Sequence, residues 1–287
     1  MTADEATVVL ATGRQMRRAD PESHVLLAAL DQLGVGAVIE PWDELRDWSL
    51  ARLVMVRTPW DYFQRREEFL AWAERTALVT KVVNSPRILS WSSHKGYLLE
   101  LERVGIPILP TVLVPADTSP VEQARLLDQF HGELVVKPAV SVGAIGLVRA
   151  SGPAAGALHL ASLLESGDAL LQSFEPSVVE YGELSLVFFE ENFSHAVRKT
   201  PAKGDFRVQL HYGGSVVPSQ PTLGQLEVAI AALAVAPGPT SYARVDLIGP
   251  PDEPKVMELE LIDPELFLGQ DTDAPLRLAR HLCSLLR

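Results

Sequence analysis

The stretch YARVDLIGPPDEPKVMELELI (Tyr242–Ile262) decides the fold assignment, because it predicts two strands joined by a proline-rich turn. Side chains alternate between the two faces of a strand. Arg244 and Asp246 therefore share one face of the first strand, and Glu258 and Glu260 share one face of the second. The short connection predicts an antiparallel pair whose apolar faces both pack on the core. Three carboxylates and one guanidinium would then lie on a single surface.

Two interpretations of this surface are open. Gathered carboxylates repel each other unless a cation lies among them, and oxygen donors without His or Cys suit Mg²⁺ or Mn²⁺. Asp246, Glu258 and Glu260 are therefore candidate metal ligands. The alternative is a solvated face of an antiparallel sheet, where polar and apolar residues commonly alternate.

A second informative stretch is LVVKPAVSVGAIG (Leu134–Gly146), which predicts a buried strand followed by a loop of small residues. Lys137 ends the strand, and the loop includes Ser141, Gly143 and Gly146. Small residues allow backbone N–H groups to approach a phosphate, and an adjacent ammonium adds positive charge. The alternative is a flexible turn with a lysine whose ammonium reaches solvent.

The rest of the chain predicts an α/β protein. Strands Thr7–Thr12, Arg52–Thr58 and Lys81–Asn84 alternate with helices, which is typical of a parallel doubly wound sheet. The following run, WSSHKGYLLELERVG, predicts one helix that carries Lys95 and ends at Gly105. The last third is rich in strands.

Composition narrows the class of protein. The 287 residues exceed one typical domain and carry a net charge of −12, so there is no basic surface for nucleic acid or an anionic membrane. A single cysteine, Cys283, excludes an intramolecular disulfide and a cysteine-based metal site. No signal peptide or membrane span is evident, and a cytoplasmic location is predicted.

From the run NSPR onward, the order of these motifs resembles the ATP-grasp superfamily, and the details resemble the glutathione-synthetase/RimK-type ligases. The run from FEPSVVEYGELSLVFF to YGGSVVP is similar to small amino-acid ligases of antibiotic pathways, such as the O-ureido-serine cyclo-ligases of cycloserine biosynthesis. The resemblance implies an α/β fold, α+β in its C-terminal part. It divides the chain into a Rossmann-like pre-ATP-grasp domain (1–86), a central subdomain with the phosphate loop (87–173) and a C-terminal subdomain with the metal site (174–287).

The resemblance also implies roles for individual residues. In ATP binding, Lys95 and Lys137 would contact the phosphates, and Ser141 to Gly146 would form the mobile loop above them. The adenine and ribose would be bound by Gln172, the backbone around Ser173 and Phe174, and either Glu183 or Glu180. The cations around the γ-phosphate and the acyl phosphate would be Lys199, Arg207 and Arg244, and Mg²⁺ or Mn²⁺ would be held by Asp246, Glu258 and Glu260. Many relatives end the metal motif as Glu-x-Asn, whereas this chain has Glu260.

The activity implied by the resemblance is an ATP-dependent carboxylate–amine ligation through an acyl phosphate, with release of ADP and phosphate. Its substrates would be a small amino acid or peptide, and the resemblance allows ring closure and a homodimer. VRTPWDYF offers Arg57, Trp60, Asp61 and Tyr62 for substrate binding at the carboxyl end of a strand, where open α/β sheets bind ligands. A packed aromatic turn is the alternative for this segment. The alternatives for the whole chain are a small-molecule kinase without ligation and a catalytically silent nucleotide-binding regulator.

Overall fold

The computed structural model describes residues 7–16 and 20–287, and the first sheet in these ranges is parallel. Its strand order is β2-β1-β3-β4. The strands are β1 (Val8–Thr12), β2 (Ala37–Pro41), β3 (Leu53–Thr58) and β4 (Lys81–Val83). The crossover helices are α1 (Pro21–Gln32) and α2 (Arg66–Ala77). The predicted α/β class is confirmed.

Helix α1 begins at Pro21, and the side chain of the residue before it fixes this start. Asp20 caps the helix, because its carboxylate accepts hydrogen bonds from the Glu22 amide at 3.1 Å and the Ser23 amide at 3.2 Å. Pro21 occupies the first turn, where the missing N–H has no intrahelical partner to lose.

The segment that carries Lys95 is not helical, so the prediction of a single helix there is wrong. Two short helices replace it, α3 (Pro86–Ser92) and α4 (Tyr97–Arg103). The Gly96 amide donates to His94 Nδ1 at 3.1 Å, and the Lys95 amide donates to the carbonyl of Ala139 at 2.8 Å. Local side-chain bonding of this kind competes with helical hydrogen bonds. It leaves Lys95 in a turn beside the second sheet.

The second sheet is antiparallel and has the strand order β5-β8-β6-β7. Its strands are β5 (Thr111–Val114), β6 (Leu134–Pro138), β7 (Val148–Ala150) and β8 (Ala169–Ser173). Helices α5 (Pro120–Leu127) and α6 (Pro153–Leu164) connect them. Lys137 lies at the end of β6, and the loop of small residues follows it.

The third sheet is also antiparallel, with the order β11-β10-β9-β12-β13. Its strands are β9 (Glu183–Phe189), β10 (Asn192–Thr200), β11 (Ser215–Ser219), β12 (Tyr242–Ile248) and β13 (Lys255–Glu260). The remaining helices are α7 (Ser177–Tyr181), α8 (Leu223–Leu233) and α9 (Ala274–Ser284). Among the described residues, no helix combines the length and the apolar character needed to cross a bilayer.

Both faces of the third sheet pack on a hydrophobic core. Leu186 and Val245 belong to a core cluster that includes Ala229 of α8. Val187 and Tyr242, on the opposite face, pack with residues of the parallel sheet, α1 and α9. The alternation along β12 puts Arg244 and Asp246 on the same face as Tyr242. The polar surface of β12 and β13 therefore faces the N-terminal sheet.

Asn84, just after β4, joins this sheet to the third one. Its Nδ2 donates to the carbonyls of Tyr242 at 2.9 Å and Leu261 at 2.8 Å, and its Oδ1 accepts from the Ser241 amide at 2.7 Å. The Asn84 side chain is completely buried, so these backbone groups have no water to replace it.

We expect Asn84→Ala to lower the free energy of unfolding by about 2–4 kcal/mol, because it leaves several buried backbone groups without partners. Urea unfolding measures the change. Asn192→Ala is the matched control, since Asn192 is exposed and its Nδ2 donates to the carbonyl of the nearby Glu190. Equal stability losses in the two variants would contradict the prediction.

Candidate active site

The polar face of β12 and β13 holds a network of charges. The strands pair with Arg244 opposite Glu260 and Asp246 opposite Glu258, as the alternation predicts. Arg244 Nε and Nη2 each donate to a carboxylate oxygen of Asp246 at 2.9 Å, and Nη2 also donates to Glu260. Arg244 Nη1 donates to the carbonyl of Glu265 at 3.1 Å. Arg244 therefore links the acidic face to the segment after β13.

A second cation, Lys199 of β10, reaches the same face. Its Nζ lies 3.2 Å from Asp246 Oδ2 and forms an ion pair with Glu183. Ser185 Oγ of β9 donates to Asp246 Oδ1 at 2.6 Å. No local sequence pattern marks Ser185, because its position directly opposite Asp246 becomes visible only once β9 is known to pair with β12.

Lys95 joins two motifs that lie far apart in the sequence. Its Nζ lies 3.0 Å from Glu258 Oε1 and donates to the carbonyl of Ser141 at 2.8 Å. The ammonium thus contacts both the acidic strand and the loop of small residues.

Lys137 contributes a second ammonium nearby. The residue is 5% exposed, and the charges of Glu258 and Lys95 both act on it. Among the described residues, none accepts a hydrogen bond from the Lys137 ammonium. Burial lowers the pKa of Lys137 from its ordinary 10.5 to about 8, although the charge of Glu258 opposes this shift. The ammonium is therefore desolvated without a direct partner in the part of the chain that the structure describes.

The buried acids divide into two kinds by the charges around them. Burial raises the pKa of Glu183 to about 7, although the charge of Lys199 opposes this shift. Burial likewise raises the pKa of Glu260 to about 8, although the charge of Arg244 opposes it. Burial also acts on Asp246, but the charges of Arg244 and Lys199 outweigh it and hold the pKa of Asp246 below its ordinary value. Arg244 and Lys199 thus keep the Asp246 carboxylate ionised.

The loop from Ser141 to Gly146 is folded down beside Lys95. Gly143 and Gly146 have φ values of 60° and 74°, in the left-handed region that favours glycine. A Cβ atom at Gly146 would lie 2.9 Å from Cγ of Pro138, so the close approach of the loop to β6 requires glycine there. Val142 packs against the core of the N-terminal sheet.

Two candidate residues lie apart from this network. Arg207 pairs with Asp205 at 2.7 Å and stacks on the Tyr212 ring at 3.6 Å. Glu180 is exposed and bonds to the Tyr181 side chain, whereas the alternative ribose ligand, Glu183, is buried beside Lys199. A role in nucleotide binding for Arg207 or Glu180 stays a prediction.

The predicted adenine segment lies at the end of β8, where its polar groups already have partners. Gln172 Nε2 donates to Thr111 Oγ1 at 2.8 Å. The Ser173 amide donates to the carbonyl of Pro110 at 3.2 Å, and the Phe174 amide donates to that of Glu133 at 3.1 Å. Binding of adenine by these residues stays a prediction.

The candidate substrate residues adjoin the segment that follows β13. Arg57 Nη1 donates to the carbonyl of Pro264 at 2.6 Å, and Trp60 Nε1 donates to that of Asp263 at 3.1 Å. Asp61 instead accepts from Trp42 Nε1 at 3.1 Å, and Tyr62 is 4% exposed. Arg57 and Trp60 therefore position backbone in this structure.

Glu22, which our sequence analysis missed, anchors the same segment. Its carboxylate accepts from the amides of Leu266 at 2.8 Å and Leu268 at 2.6 Å, and it pairs with Arg57. No local sequence pattern marks Glu22, because the two amides that donate to it lie more than 200 residues away along the chain.

The donor chemistry of the acidic face fits magnesium, since Asp246, Glu258 and Glu260 offer only oxygen atoms. Within residues 7–16 and 20–287, however, no three acidic, histidine or cysteine side chains converge closely enough to hold a metal ion. Arg244 holds Asp246 and Glu260, and Lys95 holds Glu258. The carboxylates would have to exchange these cations for a metal.

The three sheets define the class of the protein. The ATP-grasp ligase PsnB, solved with a phosphomimetic variant of its minimal precursor, Mg and ADP, superposes with a TM-score of 0.69 at 15% identity and covers 99% of both chains. At that identity the likeness shows the fold alone, which is the ATP-grasp fold.

Closer relatives identify the family. Residues 8–84 match the family described as the N-terminal domain of the D-cycloserine synthetase DcsG. The cycloserine biosynthesis protein DcsG of Streptomyces lavendulae is 31% identical over 290 residues, which covers 91% of this chain and 93% of DcsG. A crystal structure of D-cycloserine synthetase DcsG superposes with a TM-score of 0.88 at 30% identity, covering 98% of this chain and 99% of that one. The chain belongs to the DcsG family of ATP-grasp ligases and is an enzyme, which confirms the predicted superfamily.

Proposed function

We propose that this enzyme joins a carboxylate to an amine through an acyl phosphate and releases ADP and phosphate. The observation that carries the proposal is the contact of the Lys95 ammonium with both Ser141 O and Glu258 Oε1, with Lys137 close by. This contact joins a loop suited to phosphates, two lysines and the acidic face in one site. Phosphoryl transfer requires these groups together.

In the proposed mechanism the γ-phosphoryl group passes from ATP to a carboxylate oxygen of the substrate, and ADP leaves. A nitrogen nucleophile then attacks the acyl carbon and displaces phosphate. Lys95 and Lys137 would bind the nucleotide phosphates, and Arg244 and Lys199 would stabilise charge on the transferring group. Mg²⁺, held by the acidic face, would neutralise phosphate charge. The loop 141–146 would keep water from the acyl phosphate.

We propose a small amino acid or peptide as substrate, closed into a ring within one molecule as part of specialised metabolism. Support comes from the 31% identity with a cycloserine biosynthesis protein. O-ureido-serine is therefore the first compound to test. The kinase alternative predicts that the phosphoryl group stays on the product.

The proposed division of the chain is three units, residues 1–86, 87–173 and 174–287, with the site where they meet. Each proposed unit contains one of the three sheets, which supports this division. The site would then combine residues of all three units, namely Asp246, Ser141 and Trp60. A cytoplasmic location and a homodimer stay predictions.

The test is an ADP-release screen of amino acids, dipeptides and O-ureido-serine, with magnesium present and hydroxylamine added to trap an acyl phosphate as a hydroxamate. We expect ADP, inorganic phosphate and hydroxamate, all dependent on magnesium. AMP and pyrophosphate as the sole nucleotide products would exclude the acyl-phosphate mechanism. A stable phosphorylated product would favour the kinase.

A further inference from the structure

Asp263, just after β13, is a largely buried residue of the site whose carboxylate has no direct partner among the described residues. Its neighbours are paired, since Glu258 contacts Lys95 and Glu260 contacts Arg244. Asp263 is only 8% exposed. Among the described residues, none donates a hydrogen bond to its carboxylate or forms an ion pair with it. A buried carboxylate normally requires such a partner.

The backbone around Asp263 is held firmly by the N-terminal sheet. Its carbonyl accepts a hydrogen bond from Trp60 Nε1 at 3.1 Å, and the next carbonyl, of Pro264, accepts one from Arg57 at 2.6 Å. The Leu266 amide donates to Glu22 at 2.8 Å. These bonds fix Asp263 beside the carboxyl end of β3, where open α/β sheets bind ligands.

The surroundings of Asp263 suit a cation with apolar neighbours. Burial, followed by the charge of Asp263, raises the pKa of Tyr62 well above its ordinary value, so the phenol is near enough to be affected by the charge of this carboxylate. The Trp60 indole is half-buried on the same segment. Burial also raises the pKa of Asp263 itself to about 7, although the charge of Lys95 opposes this shift. An ammonium group here would gain one carboxylate and two aromatic neighbours.

We propose that the Asp263 carboxylate binds the ammonium group of the amino acid whose own carboxylate is activated, with Trp60 and Tyr62 as the wall of this subsite. The inference rests on the proposed ligase function and specifies its substrate class. An ammonium fits better than a second metal ion, because magnesium requires several oxygen ligands.

The test compares O-ureido-serine with its analogue that lacks the α-amino group and keeps the ureido group. Calorimetry measures the binding of both compounds to the full-length wild type and to Asp263→Asn, and ADP release is followed in parallel. We expect the wild type to bind O-ureido-serine about 30-fold more tightly than the analogue, which is typical of one hydrogen bond between charged groups. Asp263→Asn should bind the two compounds equally.

Two controls keep the result specific. Affinity for Mg·ADP and the melting temperature should be unchanged in Asp263→Asn. Asp273→Asn, an exposed acid after the same segment, should retain wild-type discrimination.

Different results would overturn the ammonium subsite and the ligase function. Preserved discrimination in Asp263→Asn, or binding of neither compound to the wild type, would overturn the subsite. Loss of Mg·ADP binding in this variant would also overturn it, in favour of a metal ligand. Discrimination that depends on Asp263 without any ADP release would retain the subsite and refute the ligase proposal.

Discussion

Glu258→Gln is expected to lower kcat for ADP release about 1,000-fold, a much larger effect than its loss of about 3 kcal/mol or less in the free energy of unfolding. The variant keeps the size and hydrogen-bonding capacity of the side chain but removes its charge. That charge holds the Lys95 ammonium at 3.0 Å and acts on Lys137. It is also one of the proposed magnesium ligands. Steady-state ADP release and urea unfolding measure the two effects.

The matched control is Glu253→Gln, in the turn of the same hairpin. Glu253 is exposed, so its neutralisation should leave both kcat and stability unchanged. Magnesium-dependent ADP binding, measured by calorimetry, supplies a readout that does not depend on turnover. Wild-type activity and unchanged magnesium dependence in Glu258→Gln would refute the metal assignment.

The acidic face could be predicted because it depends on local regularities. Alternation along two strands and a short turn are enough to put Arg244 and Asp246 opposite Glu260 and Glu258. The buried strand ending at Lys137 could be predicted from the same kind of pattern. These features require no knowledge of distant parts of the chain.

Features that depend on competing local bonds were harder to predict. The periodicity around Lys95 indicates a helix, but the bond from the Gly96 amide to His94 interrupts it. Arg207 resembles a phosphate ligand in sequence, whereas the structure pairs it with Asp205, only two residues away. A pattern of residue types does not show whether a local hydrogen bond or ion pair is more stable than the structure or contact that the pattern indicates.

Residues that act through long-range packing had no signal in the sequence. Asp263 and Glu22 acquire their significance from the contact between the N-terminal sheet and the segment after β13. The sequence predicts the strands of the N-terminal sheet and the strand that precedes this segment. It does not predict which residues meet, because that depends on the packing of three sheets.

Lys137→Met is expected to weaken binding of Mg·ATP about 100-fold while leaving the ligand-free protein at least as stable as the wild type. A charged contact with phosphate is worth about 2–3 kcal/mol, which corresponds to this loss. The ammonium has no direct partner among the described residues, so the apolar replacement removes the free-energy cost of burying an unpaired charge. Calorimetry with a non-hydrolysable ATP analogue and urea unfolding at pH 7 measure the two quantities.

The control for this variant is Lys81→Met, at the exposed first residue of the edge strand β4. Its ammonium donates to the carbonyl of Leu285, far from the candidate site. This variant should bind nucleotide normally and lose little stability. A large stability loss in Lys137→Met, with unchanged nucleotide affinity, would assign Lys137 a structural role instead.

The pH dependence of stability gives an independent check on the state of Lys137. Its pKa is about 8 in the folded protein against an ordinary 10.5, so between these values the unfolded chain binds more protons than the folded one. Stability contributed by this group therefore rises with pH through that window. The free energy of unfolding of the wild type should gain up to about 3 kcal/mol relative to Lys137→Met between pH 8 and 10.5. A constant difference over this range would show that the ammonium has a partner when folded, and the role of Lys137 as an open phosphate ligand would then fail.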